Sequence, residues 1–395
     1  MSRRPRLQVV VQRYGDGVSG GAEAHARELV RHLRPHLDIE VATTTALDYW
    51  TWAHELVPGE DEVDDVPVRR FRPASGRARD FRRYERAAFA RDRSLDDERA
   101  FLRAQGPHCP DLLEHVRSRA REVDHTLFFT YIYEPTALGL PLAPDRAVLV
   151  PTAHDEPALS LSLYKPLFHA PRAIAFNTEE EKRLVHGRFR NSRVPHDVVG
   201  VGVDVPEDVD PTRFRDAHGI EGPYFLYVGR IVESKGMPDL FDAWARFQGT
   251  GTARATLVLI GNAEMPVPAR DDVRHLGRLG DRDKFDAYAG AVALVMPSRL
   301  ESLSIVTLEA WALGLPAIVS ARSPVLSSMG RRAGAGLPYA SHPEFAELCA
   351  LLMERPDVAR SLGRAGSAFV SRTYTWDLVV EKYLDLFAEV SARAA

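Results

Sequence analysis

Hydrophobic and polar positions along the chain follow one pattern twice. Leu7–Arg13 alternates little and is rich in valine, which predicts a strand buried on both faces of a parallel sheet. A glycine loop follows. Ala22–Leu37 then carries apolar residues three and four apart, predicting a helix, and Ile39–Thr44 predicts a second strand. This strand–loop–helix–strand unit argues for a doubly wound α/β sheet. Further strands are predicted at Leu127–Thr130, Ala147–Pro151 and Ala173–Asn177, with polar helices over Gly76–Arg121 as an insertion above the sheet. The pattern restarts with a strand at Tyr224–Val228, a helix at Met237–Phe247 and strands at Thr256–Ile260, Val292–Met296 and Pro316–Ser320. Two such series predict two Rossmann-like domains facing across a cleft. Their boundary falls in Val201–Pro211, where glycine, proline and acidic residues cluster. The expected division is 1–202, 203–372 and an amphipathic terminal helix in 373–395.

Composition narrows the function classes. The chain has 395 residues, 45% hydrophobic and 27% charged, with a net charge of -4. That is a globular balance with no global attraction to nucleic acid, and no nucleic-acid-binding module is recognised. Cys109 and Cys349 are the two cysteines, too far apart for a zinc or redox motif, which fits a reducing compartment. The apolar run after the basic N-terminus is too short for a signal peptide, and no window approaches the ~20 apolar residues of a membrane span. The expectation is a cytoplasmic protein, with any membrane contact peripheral at the inner face.

Two loops carry the candidate chemistry. Gly15-Asp16-Gly17-Val18-Ser19-Gly20 reads as G-x-G-x-x-G between a strand and a helix. A dinucleotide site also needs an acidic residue at the end of the second strand, and Thr43-Thr44-Thr45 stands there instead. The better reading uses Gly20 and Gly21 at the helix start, where the missing Cβ atoms let a ligand approach free N–H groups. A tight turn without ligand is the plainer alternative. In the second half, Gly229-Arg230-Ile231-Val232-Glu233-Ser234-Lys235-Gly236 again joins strand to helix. Arg230 can grip a phosphate bidentately and Lys235 adds a point charge; with only five lysines in the chain, one here is not expected from usage alone. Downstream, Glu301 and Glu309 lie eight residues apart. On one helix they would stand about 80° apart, but Glu301 reads as loop and Glu309 as the second turn of a helix. Both can then face a ligand at the helix N-terminus, where the N–H groups of Leu303, Ser304 and Ile305 favour an anion. Carboxylates suit sugar and ribose hydroxyls. Together these residues predict a site for a sugar nucleotide's diphosphate.

With Gly20–Glu23 (Gly-Gly-Ala-Glu), His154-Asp155, Gly229-Arg230 with Lys235-Gly236, and the Glu301/Glu309 pair, the chain resembles the retaining GT-B glycosyltransferases of family 4, in order and over nearly its whole length. That resemblance implies a second domain holding a UDP- or GDP-linked sugar as donor substrate, and a first domain holding a hydroxyl acceptor in glycan, glycolipid or secondary-metabolite synthesis. It implies that Arg230 and Lys235 bind the diphosphate, Glu309 the ribose and Glu301 the donor sugar, that Leu279 and Asp281 touch the base, and that the final helix returns to the first domain. His154, at the carboxyl edge of the first sheet, is the other catalytic candidate beside Glu301: it can hydrogen-bond the donor sugar or polarise its reacting face, or be a structural histidine that fixes a loop. The family often reads E-G-F-G after the first glutamate; Ser302 and Ser304 replace both glycines here. No cofactor and no metal are expected, since the charged loop and helix N-terminus can meet the leaving group's charge. The D-x-D triplets at Asp208–Asp210 and Asp281–Asp283 read as linker and helix cap.

Arg69–Arg83 holds seven arginines against one acid, Asp80, a local +6 interleaved with Phe71 and Phe81. Such a patch can meet a phosphorylated lipid carrier, an anionic leaflet or an acidic glycan, or be a solvated helical face. Two other classes share these features: a sugar-nucleotide epimerase or hydrolase, and a non-catalytic partner subunit of the same fold.

Overall fold

The computed structural model describes residues 3–251 and 254–394. The chain divides into two compact units: one runs up to Val201 and resumes at Val379, the other is Gly202–Leu378.

In the first unit the elements are β1 (Arg6–Val10), α1 (Gly21–Leu33), β2 (Asp38–Thr44), β3 (Gly59–Val63), β4 (Val66–Phe71), α2 (Phe81–Ala88), α3 (Leu95–Gln105), α4 (Pro110–Arg119), β5 (His125–Phe129), α5 (Glu134–Ala137), β6 (Ala147–Val150), β7 (Ala173–Phe176), α6 (Glu179–Phe189) and β8 (His196–Val198). The sheet order is β3-β4-β2-β1-β5-β6-β7-β8, parallel except for the β3–β4 hairpin. β5, β6 and β7 are buried at every position, as a sheet covered on both faces requires. The chain leaves β1 toward β2 and β4, then returns past β1 to β5, so the order reverses between β1 and β5.

Two expectations need correction here. The helices of 76–121 are not simply an insertion above the sheet. α4 is the covering helix of the crossover to β5, and its Leu112 and Val116 join Val10, Ala42 and Phe128 in one core cluster. Nor do all arginines of Arg69–Arg83 form a free basic patch. Arg69 and Arg70 lie on β4 and pair with Glu60 (2.7 Å) and Asp61 (2.6 Å) of the antiparallel neighbour β3. Arg70 is buried and also donates to the Tyr14 carbonyl (2.7 Å). The charges cancel across a hairpin that pattern reading did not find.

The second unit contains α7 (Pro211–His218), β9 (Tyr224–Val228), α8 (Met237–Gly249), β10 (Thr256–Ile260), β11 (Val273–His275), α9 (Asp281–Gly290), β12 (Ala293–Met296), α10 (Ile305–Ala312), β13 (Ala317–Ser320), α11 (Pro324–Ala333), β14 (Gly336–Tyr339), α12 (His342–Glu354) and α13 (Pro356–Thr373). Its six strands are all parallel in the order β11-β10-β9-β12-β13-β14. The order reverses between β9 and β12, and at such a point the loops leaving the two strands diverge and open a crevice. The loops that leave these two strands are the Arg230/Lys235 loop and the Glu301 loop. The last helix, α14 (Trp376–Ala394), belongs to the first unit from Val379 onward. There Lys382 Nζ donates to the Val198 carbonyl (2.7 Å) and Phe387 stacks on His125 (4.8 Å). Among the described residues no helix is long and apolar enough to cross a membrane.

The first unit buries two histidines in apolar surroundings. His25 stands edge-on to Phe129, and its pKa is pushed down to about 3 by burial. Burial lowers that of His125 to about 4. A depressed histidine is neutral in the folded chain, whereas the unfolded chain takes up a proton below about pH 6.5. Stability is therefore full above that pH and is lost as pH falls toward 4. Thermal unfolding followed from pH 7 to pH 4 is expected to show a falling midpoint, flatter in His25→Leu. An equal slope in that variant would remove His25 from the account.

Candidate donor site at the switch point of the second sheet

The site is built from two loops and two helix starts. β9 ends at Val228, Gly229 adopts φ 147°, and its N–H bonds the Ile260 carbonyl (2.9 Å), fixing the loop exit beside β10. A short turn at Glu233–Lys235 ends on Gly236 at φ 78°, which caps α8. A Cβ on Gly236 would lie 2.6 Å from the Pro297 carbonyl oxygen, so only glycine allows this loop to touch the loop leaving β12. That approach brings Lys235 to Glu301: Nζ donates to Oε1 at 2.7 Å. Arg230, at the other end of the loop, is half-buried and lies 3.7 Å from Glu264 Oε1.

Glu301 lies in the loop and Glu309 in the second turn of α10, as expected. Glu309 is held from two sides, by Lys284 Nζ (2.8 Å) and the Tyr288 hydroxyl (2.9 Å). Lys284 also reaches Asp281 Oδ1 (3.0 Å). Burial works against the Lys284 charge, but the carboxylates of Glu309 and Asp281 outweigh it and hold its pKa above the ordinary lysine value. Burial, with Glu309 beside it, pushes the Tyr288 phenol well up, so it stays protonated and donates. Neither Lys284 nor Tyr288 was singled out from sequence; both lie on α9, more than twenty residues from Glu309, and no local spacing signals the contact. Leu279 is half-buried and Asp281 is exposed as the first residue of α9, whose N-cap is Gly280. Asp281 thus does not cap the helix as expected; its partner is Lys284. In the other triplet, Asp210 caps α7 by accepting from Thr212 N (2.8 Å), and Asp208 pairs with Arg282 (2.9 Å).

Leu303 and Ser304 are buried and Ile305 opens α10. The N–H groups of Thr307 and Leu308 close on the Ser304 carbonyl, which leaves the N–H groups just ahead of them outside the helix ladder. The second unit therefore gathers a guanidinium, an ammonium, a helix N-terminus and two carboxylates around one switch point. Cations and free N–H groups suit an anion of high charge; the carboxylates suit hydroxyl groups.

Residues 222–355, all within this unit, match the family model described as Glycosyl transferases group 1. The chain is 26% identical over 206 residues to a GDP-mannose-dependent monoacylated alpha-(1-6)-phosphatidylinositol monomannoside mannosyltransferase of Corynebacterium glutamicum, covering 47% of this chain and 54% of that protein. It is 27% identical over 338 residues to a D-inositol 3-phosphate glycosyltransferase of Frankia alni, covering 78% and 79%. Against the first of these, and against the Jonesia denitrificans enzyme of the latter name (64%), the match spans between half and two thirds of the relative. Among solved structures, sucrose-phosphate synthase from Thermosynechococcus elongatus superposes with a TM-score of 0.74 at 17% identity, over 99% of this chain and 100% of that one. Anabaena HepE, solved with UDP-glucose, gives 0.71 at 15% identity, over 96% and 98%. The chain resembles the group 1 glycosyl transferases. Its fold is GT-B.

The remaining residues singled out from sequence lie in the first unit of this GT-B chain. Gly20 (φ 149°) caps α1, where a Cβ would meet Glu23 Oε2 at 2.2 Å; a Cβ on Gly21 would meet open space. Glu23, the acid of the Gly-Gly-Ala-Glu motif, is buried and accepts from Arg13 (2.6 Å) and Gln12 (2.9 Å), locking the glycine loop against β1. His154 follows β6 and is half-buried, with Nδ1 at 3.3 Å from Glu156 Oε1. Glu181, unremarked in the sequence, accepts from Ala153 N and Asn177 N (both 2.6 Å) and so fixes the backbone next to His154.

The departure from E-G-F-G has a visible consequence. Ser304 sits at φ 81°, ψ 78°, a left-handed conformation that a side chain makes costly, and its hydroxyl bonds Thr307 Oγ1 (2.8 Å). Ser304→Gly is expected to be more stable than Ser304→Ala by about 1 kcal/mol, the reverse of the order inside a helix. Urea unfolding of the two variants checks this; an alanine variant as stable as the glycine one would contradict the strained geometry.

Proposed function

We propose that this chain is a retaining, metal-independent glycosyltransferase that moves a hexose from a UDP- or GDP-linked sugar to a hydroxyl acceptor. The observation that carries the reading is the convergence of Arg230, Lys235 and the N-terminus of α10 at the β9/β12 switch point, beside Glu301 and Glu309. Departure of a nucleoside diphosphate builds charge on the β-phosphate, and donors fixed where that charge grows lower the barrier most. In this reading Arg230 and Lys235 take the diphosphate, Glu309 the ribose hydroxyls, Glu301 the sugar hydroxyls, and Leu279 with Asp281 the base. The acceptor attacks from the leaving-group face and its proton passes to the departing phosphate. His154 is assigned to the sugar side; of the two glycines at the start of α1, only Gly21 has open space where a Cβ would stand, because Glu23 fills that place at Gly20. The relative named as GDP-mannose-dependent supports a nucleotide-sugar donor. Two unpaired, buried cysteines fit a cytoplasmic setting.

Lys235 is engaged by Glu301 before any ligand arrives, so the diphosphate must take over that ammonium while the sugar takes over the carboxylate. Lys235→Ala is expected to weaken binding of uridine or guanosine diphosphate about tenfold or more without loss of folding, as measured by titration calorimetry. Unchanged affinity counts against the loop assignment. Glu301→Gln is expected to bind the bare diphosphate at least as tightly as the unsubstituted chain while transfer falls at least about a hundredfold; parallel loss of both would assign Glu301 to the diphosphate instead. A panel of sugar nucleotides with and without acceptors tests the reaction class. Sugar moved only when an acceptor is present supports transfer, and free sugar or an epimer released without one overturns it.

A further inference from the structure

The first unit holds an arginine that the donor site does not use. Arg77 follows β4 at the carboxyl edge of the first sheet, where ligands of open α/β sheets sit. Its guanidinium lies 4.7 Å from the ring centres of Trp50 and Phe81 and 5.9 Å from Tyr49. Gly76, its neighbour, packs against the Thr51 carbonyl, where a Cβ would come within 1.9 Å, so the segment is pinned against the loop that follows β2. Ala78 N bonds the Ala104 carbonyl (2.8 Å) from the other side. Arg77 Nε is sealed from solvent and has no acceptor among the described residues.

That situation is unlike the arginines around it. Arg13 is paired with Glu23, Arg70 with Asp61 and Arg93 with Glu98, each within 3.0 Å. For Arg77 no carboxylate forms an ion pair among the described residues. Asp48 and Glu85 are in its field, but Asp48 accepts from Thr51 N (2.6 Å) and Thr51 Oγ1 (2.7 Å) instead. A half-buried guanidinium held by aromatic faces and lacking a counter-ion is a poor structural choice and a good receptor: it presents a planar fork for an anion, and the rings offer faces for the C–H groups of a sugar.

We infer that Arg77, with Trp50 and Tyr49, holds the anionic group of the acceptor, a phosphoryl or carboxyl group carried on a polyhydroxy ring. The inference rests on the glycosyltransferase reading for the word acceptor, though not for the binding itself. Glucose 6-phosphate, glucuronate and glucose, titrated into the whole chain by calorimetry, test it. The charged sugars are expected to bind at least about tenfold more tightly than glucose, a preference that Arg77→Met removes and Arg77→Lys keeps in part. Nucleoside diphosphate affinity, measured alongside, is expected to be unchanged in both variants. That control reports the donor reading separately, so loss of one does not mimic loss of the other. Co-sedimentation with phosphatidylcholine vesicles, with and without phosphatidylinositol, locates the source: Arg77-dependent capture by the anionic vesicles assigns the group to a lipid headgroup, and Arg77-dependent binding of the free charged sugars alone assigns it to a soluble acceptor. Equal affinity for glucose and the charged sugars together with no Arg77-dependent capture, or a preference that survives in Arg77→Met, overturns the inference. The comparison of charged with neutral sugars uses the unsubstituted chain, so it decides even if Arg77→Met does not fold.

Discussion

The Lys235–Glu301 ion pair depends on the arrangement of the whole second sheet. It forms because the strand order reverses between β9 and β12, so that the loops leaving adjacent strands diverge around the edge of the sheet yet meet at Gly236 and Pro297. A side chain at position 236 would push those loops apart and separate ammonium from carboxylate. Backbone topology thus places opposite charges side by side at the switch point of the sheet. The pair keeps each charge satisfied in the free chain, and it is half-buried, so desolvation offsets much of its own attraction.

A second set of contacts orients the rest of that site. Glu309 does not stand alone; Lys284 and Tyr288 of α9 hold both of its oxygens. Through Asp281, the same lysine ties the start of α9 to α10. The strained Ser304 sets the direction in which α10 begins, and hence where its free N–H groups aim. Strain at a helix start facing a charged loop is the kind of local conflict expected where binding rather than stability shaped the backbone.

Much of the fold was legible because parallel strands covered on both faces must be largely apolar: β6, β7, β9 and β12 are apolar throughout, and β1, β5, β10 and β13 carry only one or two polar residues each. β3 was not legible. Its Gly-Glu-Asp-Glu-Val is acidic, and only pairing with β4 makes it a strand. β11 has three residues with two exposed, and β14 includes a proline, so neither carries the hydrophobic signal. Missing β3 had a cost for the site reading: Arg69 and Arg70 looked like free charge because their partners lie nine residues back, across a turn. Arg77 was counted among the same arginines, yet it is the one whose surroundings set it apart, and no count of charges could separate them. In the candidate donor site, Arg230, Lys235, Glu301 and Glu309 were legible because each stands in a short loop or first turns after an apolar strand. Lys284 and Tyr288 were not, since only packing of α9 on α10 brings them to Glu309.

The central claim is that a nucleoside diphosphate rests on the free N–H groups ahead of α10 and on the loop after β9. Hydrogen exchange of the backbone amides, with and without saturating uridine or guanosine diphosphate, tests it most directly. Slowed exchange at Leu303–Ile305 and across Gly229–Met237 is the result expected. Protection confined to other segments, or none with any nucleoside diphosphate, would contradict it.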